Sequence, residues 1–156
     1  LNIDNKYIMS PKDLCTIEFM DKIIDAGVKV FKIEGRARSA EYVKKTAECY
    51  RRAADAVCEG CYTPELAASL KDELSEVFNR GFWDGYYQGQ TMGEWNDRPG
   101  SRATERKVYA GKTIKYFSRL GVGEFQIEAT ELAVGDRLLI KGCTTGAMYL
   151  DLAEVR

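Results

Sequence analysis

The chain has 156 residues, 45% of them hydrophobic, and its 23 basic and 24 acidic side chains leave a net charge of −1. This balance excludes a partner bound through strong overall charge, although a locally basic face remains open. The chain contains no histidine, which excludes catalytic triads and zinc sites that depend on imidazole within it.

The first predicted element is a buried strand over residues 5–9 that runs into a helix. Ser10 predicts the N-cap of that helix, Pro11 its first position and Asp13 the partner in a capping box. Cys15 would then lie about one turn into the helix, where free N–H groups and the helix dipole stabilise a thiolate. The alternative is a small buried thiol that only fills space in the core.

A second strand and helix follow. Residues 28–33 are β-branched and aromatic and predict a strand, Gly35 predicts a turn, and a helix is expected from about Ser39 to Val57. Two parallel strands cannot bury both of their faces alone. The pattern therefore predicts that these units, with the helices that follow over residues 1–92, belong to a larger parallel sheet or barrel.

Charged side chains gather where the second strand ends. In a (β/α) barrel this rim lines the active site, so Glu34 and Arg36 are the predicted catalytic residues. Lys32 and Arg38 are predicted to bind substrate, because a cationic side chain near a helix N-terminus suits a carboxylate or an RNA phosphate. The alternative is a set of ion pairs that only fix the end of the strand.

The third helix is predicted to open at Thr63, with Pro64 at its first position, and to run as far as Phe78. The polar, glycine-containing segment 93–106 predicts a linker. Its arginines, together with the aromatic residues upstream, are typical of a surface for single-stranded RNA. They are equally typical of an ordinary solvated linker, which is the favoured interpretation.

The last segment, residues 107–156, changes to short alternating runs separated by glycine-rich turns. Strands of this length and spacing predict a small antiparallel β-barrel. Exposed sheet edges pair readily with another chain, so a homodimer is also expected. The predicted strands cover residues 108–116, 122–129, 136–140 and 147–155.

The five cysteines are odd in number, and their spacing predicts no disulfide framework. Cys58 and Cys61 form a C-x-x-C pair, but the two further ligands of a structural zinc site are missing. The sequence shows no secretory signal and no apolar run near the roughly 18 residues of a membrane helix. We therefore expect a reducing cytoplasm and no membrane partner. Because the chain begins at Leu1, we also expect it to be a fragment of a longer protein.

The motifs Met-Ser-Pro-Lys-Asp-Leu-Cys at residues 9–15 and Phe-Lys-Ile-Glu-Gly-Arg at residues 31–36 are specific in combination. With the Tyr-Arg pair in the following helix and the Asn-Arg-Gly-Phe segment at residues 79–82, they resemble the collagenase-like peptidase family, peptidase family U32. The Val-Gly-Asp turn at residues 134–136 and the Thr-Thr-Gly turn at residues 144–146 are similar to the C-terminal part of that family.

The resemblance implies a main (β/α) barrel-like domain, whose final βα units and helical extension would be residues 1–92. It further implies a C-terminal barrel, residues 107–156, similar to the second domain of translation elongation factors. It also implies one of two activities, collagenase-like proteolysis or oxygen-independent hydroxylation of tRNA, rRNA or the ubiquinone ring. The hydroxylating members hold an iron–sulfur cluster on four cysteines, and the position of Cys15 matches one of them. The other three lie upstream in those proteins, so the cluster would be incomplete in this fragment.

The function expected from these observations is iron–sulfur-dependent hydroxylation of RNA, supported by a longer parent enzyme whose C-terminal fragment alone is inactive. A collagenase-like endopeptidase acting on a peptide substrate is one alternative. The other is a non-catalytic module that binds RNA or another partner. The residues themselves lend the peptidase name no support, because the chain has no histidine, no G-x-S-x-G sequence and no metalloprotease motif.

Overall fold

The computed structural model describes residues 10–155, so the strand predicted over residues 5–9 lies outside the described part. Spatial contacts divide the chain into two units, Leu1–Glu105 and Arg106–Arg156. Helices and short strands alternate in the first unit, whereas the second consists of strands. No helix in the described residues is long and apolar enough to cross a membrane.

The first unit begins with a short strand and a turn of 3-10 helix that leads directly into the first α-helix. A long and a medium helix follow, and a second short strand returns to pair with the first in parallel, with Asp13 opposite Phe82. The elements are β1 (Asp13–Leu14), a 3-10 helix (Ile17–Phe19), α1 (Met20–Asp25), α2 (Ala40–Cys58), α3 (Pro64–Ser75) and β2 (Phe82–Trp83).

Local sequence explains where the two longer helices begin. Ser39 is the extended N-cap residue of α2, which agrees with the predicted start. At α3, the predicted cap is confirmed, because Thr63 Oγ1 accepts the Leu66 N–H at 3.2 Å and Pro64 stands at the first helical position. The helix ends at Ser75, three residues before the predicted end at Phe78.

The core of the first unit lies where α2 and α3 pack against each other and against the segment around α1. Ile17, Met20 and Leu70 are fully buried, and each such side chain stabilises the folded chain by about 1.5–3 kcal/mol. Small residues on the inward face of α2, such as Ala53, let the helices approach closely. The remaining core members are Cys15, Cys49 and Leu74.

The predicted start of the first helix at Ser10 is wrong, although helical structure does cover Ile17 to Asp25. The backbone N–H groups of Lys12, Asp13 and Cys15 donate instead to carbonyl oxygens of residues 94, 81 and 83, at 2.8 to 3.0 Å. Pairing with distant backbone therefore outweighs local capping, and helical structure starts only at Ile17. Asp13 has no capping role, because its carboxylate accepts the Arg80 N–H at 3.0 Å and pairs with Arg38 at 3.2 Å.

The strand predicted over residues 28–33 does not form with any part of the chain that the structure describes. The segment lies at the surface, and Val30 is 83% exposed. A strand needs a partner to satisfy its backbone, whatever its propensity. Because the only parallel pairing among the described residues joins β1 and β2, the (β/α) barrel stays a prediction.

The second unit contains two antiparallel hairpins, and the four strands confirm the predicted alternating runs. Strand β3 (Gly111–Phe117) pairs with β4 (Val122–Ile127), and β5 (Arg137–Gly142) pairs with β6 (Gly146–Asp151). In the part that the structure describes, the two hairpins are separate two-stranded sheets, so closure into a barrel is not confirmed. The expected homodimer also stays a prediction.

Candidate functional site

Cys15 lies at a cleft in the first unit, which we call the Cys15 cleft. Its backbone is fixed as the chain leaves β1, because its N–H donates to the carbonyl oxygen of Trp83 at 2.9 Å. The side chain is only 6% exposed and lines a cleft of about 340 Å³. Phe19, Phe82 and Trp83 also line the cleft.

The hydroxyl of Tyr50 forms a hydrogen bond with the Cys15 thiol. It donates toward Sγ at 3.7 Å while accepting the Thr16 N–H at 2.9 Å, which fixes its position. Burial raises the pKa of the Cys15 thiol, and hydrogen bonds from the Ile17 backbone and Tyr50 offset part of that rise. Since Cys15 precedes the 3-10 helix, the predicted position one turn into a helix, with a stabilised thiolate, is wrong.

The rim of the Cys15 cleft is polar. Lys71 forms an ion pair with Glu18. The Gln90 amide donates to Asp84 Oδ1 at 2.8 Å, which holds both side chains in place. Lys22, on α1, completes the cationic part of the rim. The cleft therefore combines a buried thiol, aromatic walls and both signs of charge.

The predicted catalytic pair lies on an exposed loop away from the lining of the Cys15 cleft. Arg36 donates to Glu34 Oε1 through its backbone N–H at 2.9 Å and through Nε at 3.1 Å. These bonds lower the pKa of Glu34, whose carboxylate therefore stays ionised. The Arg36 side chain is 91% exposed, and Lys32 is also exposed. Both remain accessible to a ligand, and their roles stay predictions.

Arg38 is placed differently from its neighbours on this loop. Its guanidinium donates to Asp13 Oδ1 at 3.2 Å and lies over the Phe78 ring, 4.2 Å from its centre. The Tyr42 ring lies 5.4 Å away on α2. Its charge is therefore balanced inside the first unit, where it fastens β1 to the loop after α3. Binding of substrate by Arg38 stays a prediction.

Sequence reasoning missed most of the residues around the Cys15 cleft. Tyr50 stands at an apolar position of the α2 helical pattern, and helical spacing alone gives no signal for the hydrogen bond that its hydroxyl makes. Lys22 follows no motif. Trp83 and Asp84 follow the Asn-Arg-Gly-Phe segment in a glycine- and aromatic-rich stretch whose composition gives no signal for a site. The pairing of β1 with β2 brings this segment to Cys15, and no local signal predicts that pairing.

Within residues 10–155 no group of three or more histidine, cysteine, aspartate or glutamate side chains could hold a metal ion. Cys49 is buried, whereas Cys58, Cys61 and Cys143 are exposed. A thiolate is the donor that iron–sulfur clusters use, so the chemistry of Cys15 fits such a cluster as a single ligand. The other thiolates would have to come from outside the described residues.

The comparisons with known proteins agree on one family. The family described as Peptidase family U32 matches residues 2–97. A Porphyromonas gingivalis protein described as a collagenase is 57% identical over all 156 residues, which cover 38% of its own length. An uncharacterized protease of Methanocaldococcus jannaschii is 35% identical over 93% of this chain and 36% of its own length.

A tRNA hydroxylation protein of Haemophilus influenzae is 30% identical over 85% of this chain, a match that covers 28% of its own length. The chain thus spans about two fifths or less of the length of these relatives. No solved structure matches the chain at a significant level.

Proposed function

Because the chain belongs to peptidase family U32, we propose that it works within a longer protein that supports the hydroxylation of RNA. In this proposal Cys15 supplies one thiolate to an iron–sulfur cluster of that protein. The observation that carries the proposal is a buried thiol lining a cleft with aromatic walls and a polar rim. Similarity to a tRNA hydroxylation protein over 85% of the chain supports the choice of RNA.

The surroundings of Cys15 suit a metal-bound sulfur. The Tyr50 O–H is directed at Sγ, and hydrogen bonds to a ligating sulfur are one of the means by which proteins adjust a cluster. Burial favours the neutral thiol, so loading would release a proton. The cluster, when bound, would supply electron transfer.

Glu34 and Arg36 are proposed to face the substrate, together with Lys32. Their loop carries the exposed cations Lys29, Lys32 and Arg36 and one anion, Glu34, a composition that suits the phosphate and sugar edges of RNA. Replacing Arg36 by Gln in the longer protein should weaken RNA binding. The iron content should not change, because this loop does not line the Cys15 cleft.

A collagenase-like endopeptidase is the second candidate, favoured by the 57% identity to the Porphyromonas gingivalis protein of that description. Its catalytic groups would have to lie largely outside the described residues, which form no cluster of potential metal ligands. The third candidate is a non-catalytic binding module. Exposed Tyr116 and Lys115 on strand β3 favour it, because aromatic and cationic side chains together bind single-stranded RNA.

The first experiment uses the longer protein, purified without oxygen. Iron, acid-labile sulfide and the visible spectrum are measured for the wild type, for Cys15→Ser and for Cys143→Ser. We expect a coloured wild type, loss of most iron in Cys15→Ser and no change in Cys143→Ser, since Cys143 is an exposed residue of a hairpin.

Circular dichroism shows whether Cys15→Ser still folds. A wild type that stays colourless and iron-free after reconstitution overturns the cluster proposal, as does full iron retention in Cys15→Ser. Cleavage of a collagen peptide by the iron-free protein would favour the endopeptidase.

A further inference from the structure

We propose that Tyr50 is the positioning residue of the Cys15 sulfur, which its phenol holds from the core side and stabilises against negative charge when Cys15 is a ligand. This inference rests on the proposed function and adds to it a residue that sets the redox potential of the site without binding substrate. It depends on three observations: the hydrogen bond to the sulfur, the fixed position of the phenol, and the place of Tyr50 outside the cleft lining.

The Tyr50 hydroxyl belongs to a short chain of hydrogen bonds. Its oxygen accepts the Thr16 backbone N–H at 2.9 Å, and Thr16 Oγ1 lies 3.4 Å from the same oxygen. The phenol proton is then directed at Cys15 Sγ, 3.7 Å from the Tyr50 oxygen. A donor that itself accepts a hydrogen bond becomes a stronger donor. The Thr16 amide therefore both orients and strengthens the hydrogen bond to the sulfur.

The fold fixes both partners of this bond. Tyr50 lies within α2 and packs against the buried core that contains Cys49 and Ala53. The Cys15 backbone is held at β2, because its N–H donates to the Trp83 carbonyl oxygen at 2.9 Å. The distance between phenol and sulfur therefore depends on how the first unit packs and not on free rotation of either side chain.

Tyr50 approaches the sulfur from the core and not from the cleft. Cys15 is among the described residues that line the cleft, whereas Tyr50 and Thr16 are not. A sulfur that ligates a metal can accept a hydrogen bond as well, and such outer contacts orient the ligand. The Tyr50 bond thus leaves the cleft side of Sγ open to a metal, and the phenol and the metal do not compete for space.

Burial makes this single bond important. Cys15 is only 6% exposed, so water contributes little to stabilising negative charge on its sulfur. A hydrogen bond is electrostatically stronger in such surroundings than it is in water. A phenol keeps its proton throughout the ordinary range of pH, so Tyr50 remains a donor under all working conditions.

The expected consequence is a change in redox potential. Hydrogen bonds to the ligating sulfurs are among the factors that set the potential of an iron–sulfur cluster. The reduced form carries more negative charge on these sulfurs, so a donor stabilises it more than the oxidised form. Tyr50→Phe removes the hydroxyl and keeps the ring. It should therefore shift the midpoint potential to a more negative value while most of the iron is retained.

The test uses the longer protein, loaded with iron in the absence of oxygen and titrated with a reductant while visible absorption is followed. The matched control is Tyr62→Phe. Tyr62 packs against the same core, but its hydroxyl donates to the Ile17 carbonyl oxygen and not to a sulfur. Each variant loses one partly buried hydrogen bond. A shift confined to Tyr50→Phe therefore belongs to the sulfur contact and not to a loosened core.

A second substitution keeps the inference testable if Tyr50→Phe does not fold, which circular dichroism shows. Tyr50→3-fluorotyrosine keeps the ring and the hydroxyl, and the fluorine makes the phenol a stronger donor. At pH 7 it should shift the midpoint potential in the opposite direction, to a more positive value. An unchanged potential in the folded Tyr50 variants, or an equal shift in Tyr62→Phe, overturns the inference.

Failure of this inference is distinguishable from failure of the proposed function. If the wild type holds iron that Cys15→Ser loses, but the potential does not depend on Tyr50, the role of Tyr50 is overturned and Cys15 stands as a ligand. A wild type without iron, or full iron in Cys15→Ser, overturns the proposed ligand and this inference with it. Loss of most iron from folded Tyr50→Phe, with none lost from Tyr62→Phe, supports the positioning role.

Discussion

The two units of this chain reach order in different ways. In the first, three helices and two short strands enclose a core in which Ile17, Met20 and Leu70 are fully buried. In the second, none of the described residues is buried. Tyr116 and Ile114 on β3 are more than half exposed.

This difference indicates which unit stabilises the chain and which has apolar surface free to bind a partner. Burial of apolar surface is the main favourable term in folding, so the first unit holds most of the stability of the chain. An isolated two-stranded hairpin is only marginally stable in water. The second unit therefore has apolar and aromatic surface available for a partner, whereas the first has a preformed cleft.

The largest loss of stability should come from truncating a core side chain in the first unit. Leu70 is fully buried between α3 and its neighbours, so Leu70→Ala should lower the free energy of unfolding by about 2–5 kcal/mol. The matched variant in the second unit is Ile114→Ala. Ile114 is 53% exposed, and its truncation should change the free energy by no more than about 0.5 kcal/mol.

Urea titration followed by the helical circular dichroism signal measures the first unit, because every helix in the described residues lies there. Amide hydrogen exchange of β3 and β4 measures the second. If Ile114→Ala destabilised its hairpin as much as Leu70→Ala destabilises the helices, the second unit would possess a core and the contrast would be wrong.

The next largest loss of stability should come from the ion cluster around Asp13 in the first unit. The carboxylate of Asp13 accepts the Arg80 N–H and pairs with Arg38, whose guanidinium is largely shielded from solvent. Asp13→Ala leaves that charge without its partner and should lower the free energy of unfolding by about 1–3 kcal/mol.

Glu48→Ala is the matched control, because Glu48 forms only an exposed pair with Lys44 along one face of α2. Such pairs contribute about 0.3–0.5 kcal/mol. Equal losses in the two variants, measured by the same urea titration, would show that the Asp13 cluster is no stronger than an ordinary surface ion pair.

Sequence reasoning succeeded where structure is decided locally. The cap at Thr63, the start of α2 after Ser39 and the four alternating runs of the second unit all follow from signals within a few residues. Turn glycines with positive φ, such as Gly121 and Gly146, separate those runs. These signals act in the same way whatever the rest of the chain does.

Sequence reasoning failed where pairing with distant parts of the backbone decides the local structure. Ser10 and Asp13 form a good capping pattern, but the backbone around them pairs with residues 81–96 instead. Residues 28–33 have strand composition without a partner in the described part. The Cys15 cleft depends on the same long-range pairing, which is why Cys15 could be named from a motif while Trp83 and Tyr50 could not.

The two hairpins should also respond differently to replacement of a glycine by alanine. A Cβ added at Gly111 would collide with the backbone carbonyl of Gln126 on the paired strand, which cannot move without breaking the ladder. At Gly142 the nearest atom is the side-chain oxygen of Thr145, at 3.4 Å, which is close to an ordinary contact. Gly111→Ala should therefore abolish exchange protection in β3 and β4, whereas Gly142→Ala should preserve it in β5 and β6.

Both variants should leave the helical signal of the first unit unchanged, because the hairpins belong to the second unit. Retained protection in Gly111→Ala would mean that β3 and β4 can pair in another register. Loss of helical signal would mean that the two units unfold together.

The smallest predicted effect is a fall in the stability of the first unit at alkaline pH. Burial, followed by the nearby charge of Glu73, raises the pKa of Cys49 from 9.0 to about 11. The unfolded chain ionises this thiol first, so its contribution to stability is complete below pH 9 and is lost as the pH rises toward 11. At pH 10 the loss should be about 1 kcal/mol.

Cys49→Ala removes this titration, and the free energy of unfolding should fall less between pH 8.5 and 10 than in the wild type. Cys15, whose pKa is also raised, is present in both proteins, so the difference isolates Cys49. Cys143→Ala, in the exposed turn between β5 and β6, should follow the wild-type curve. If the free energy of unfolding depended on pH equally in all three proteins, Cys49 would not lie in a core that excludes water. The contrast between a buried first unit and an exposed second unit would then lose its main support.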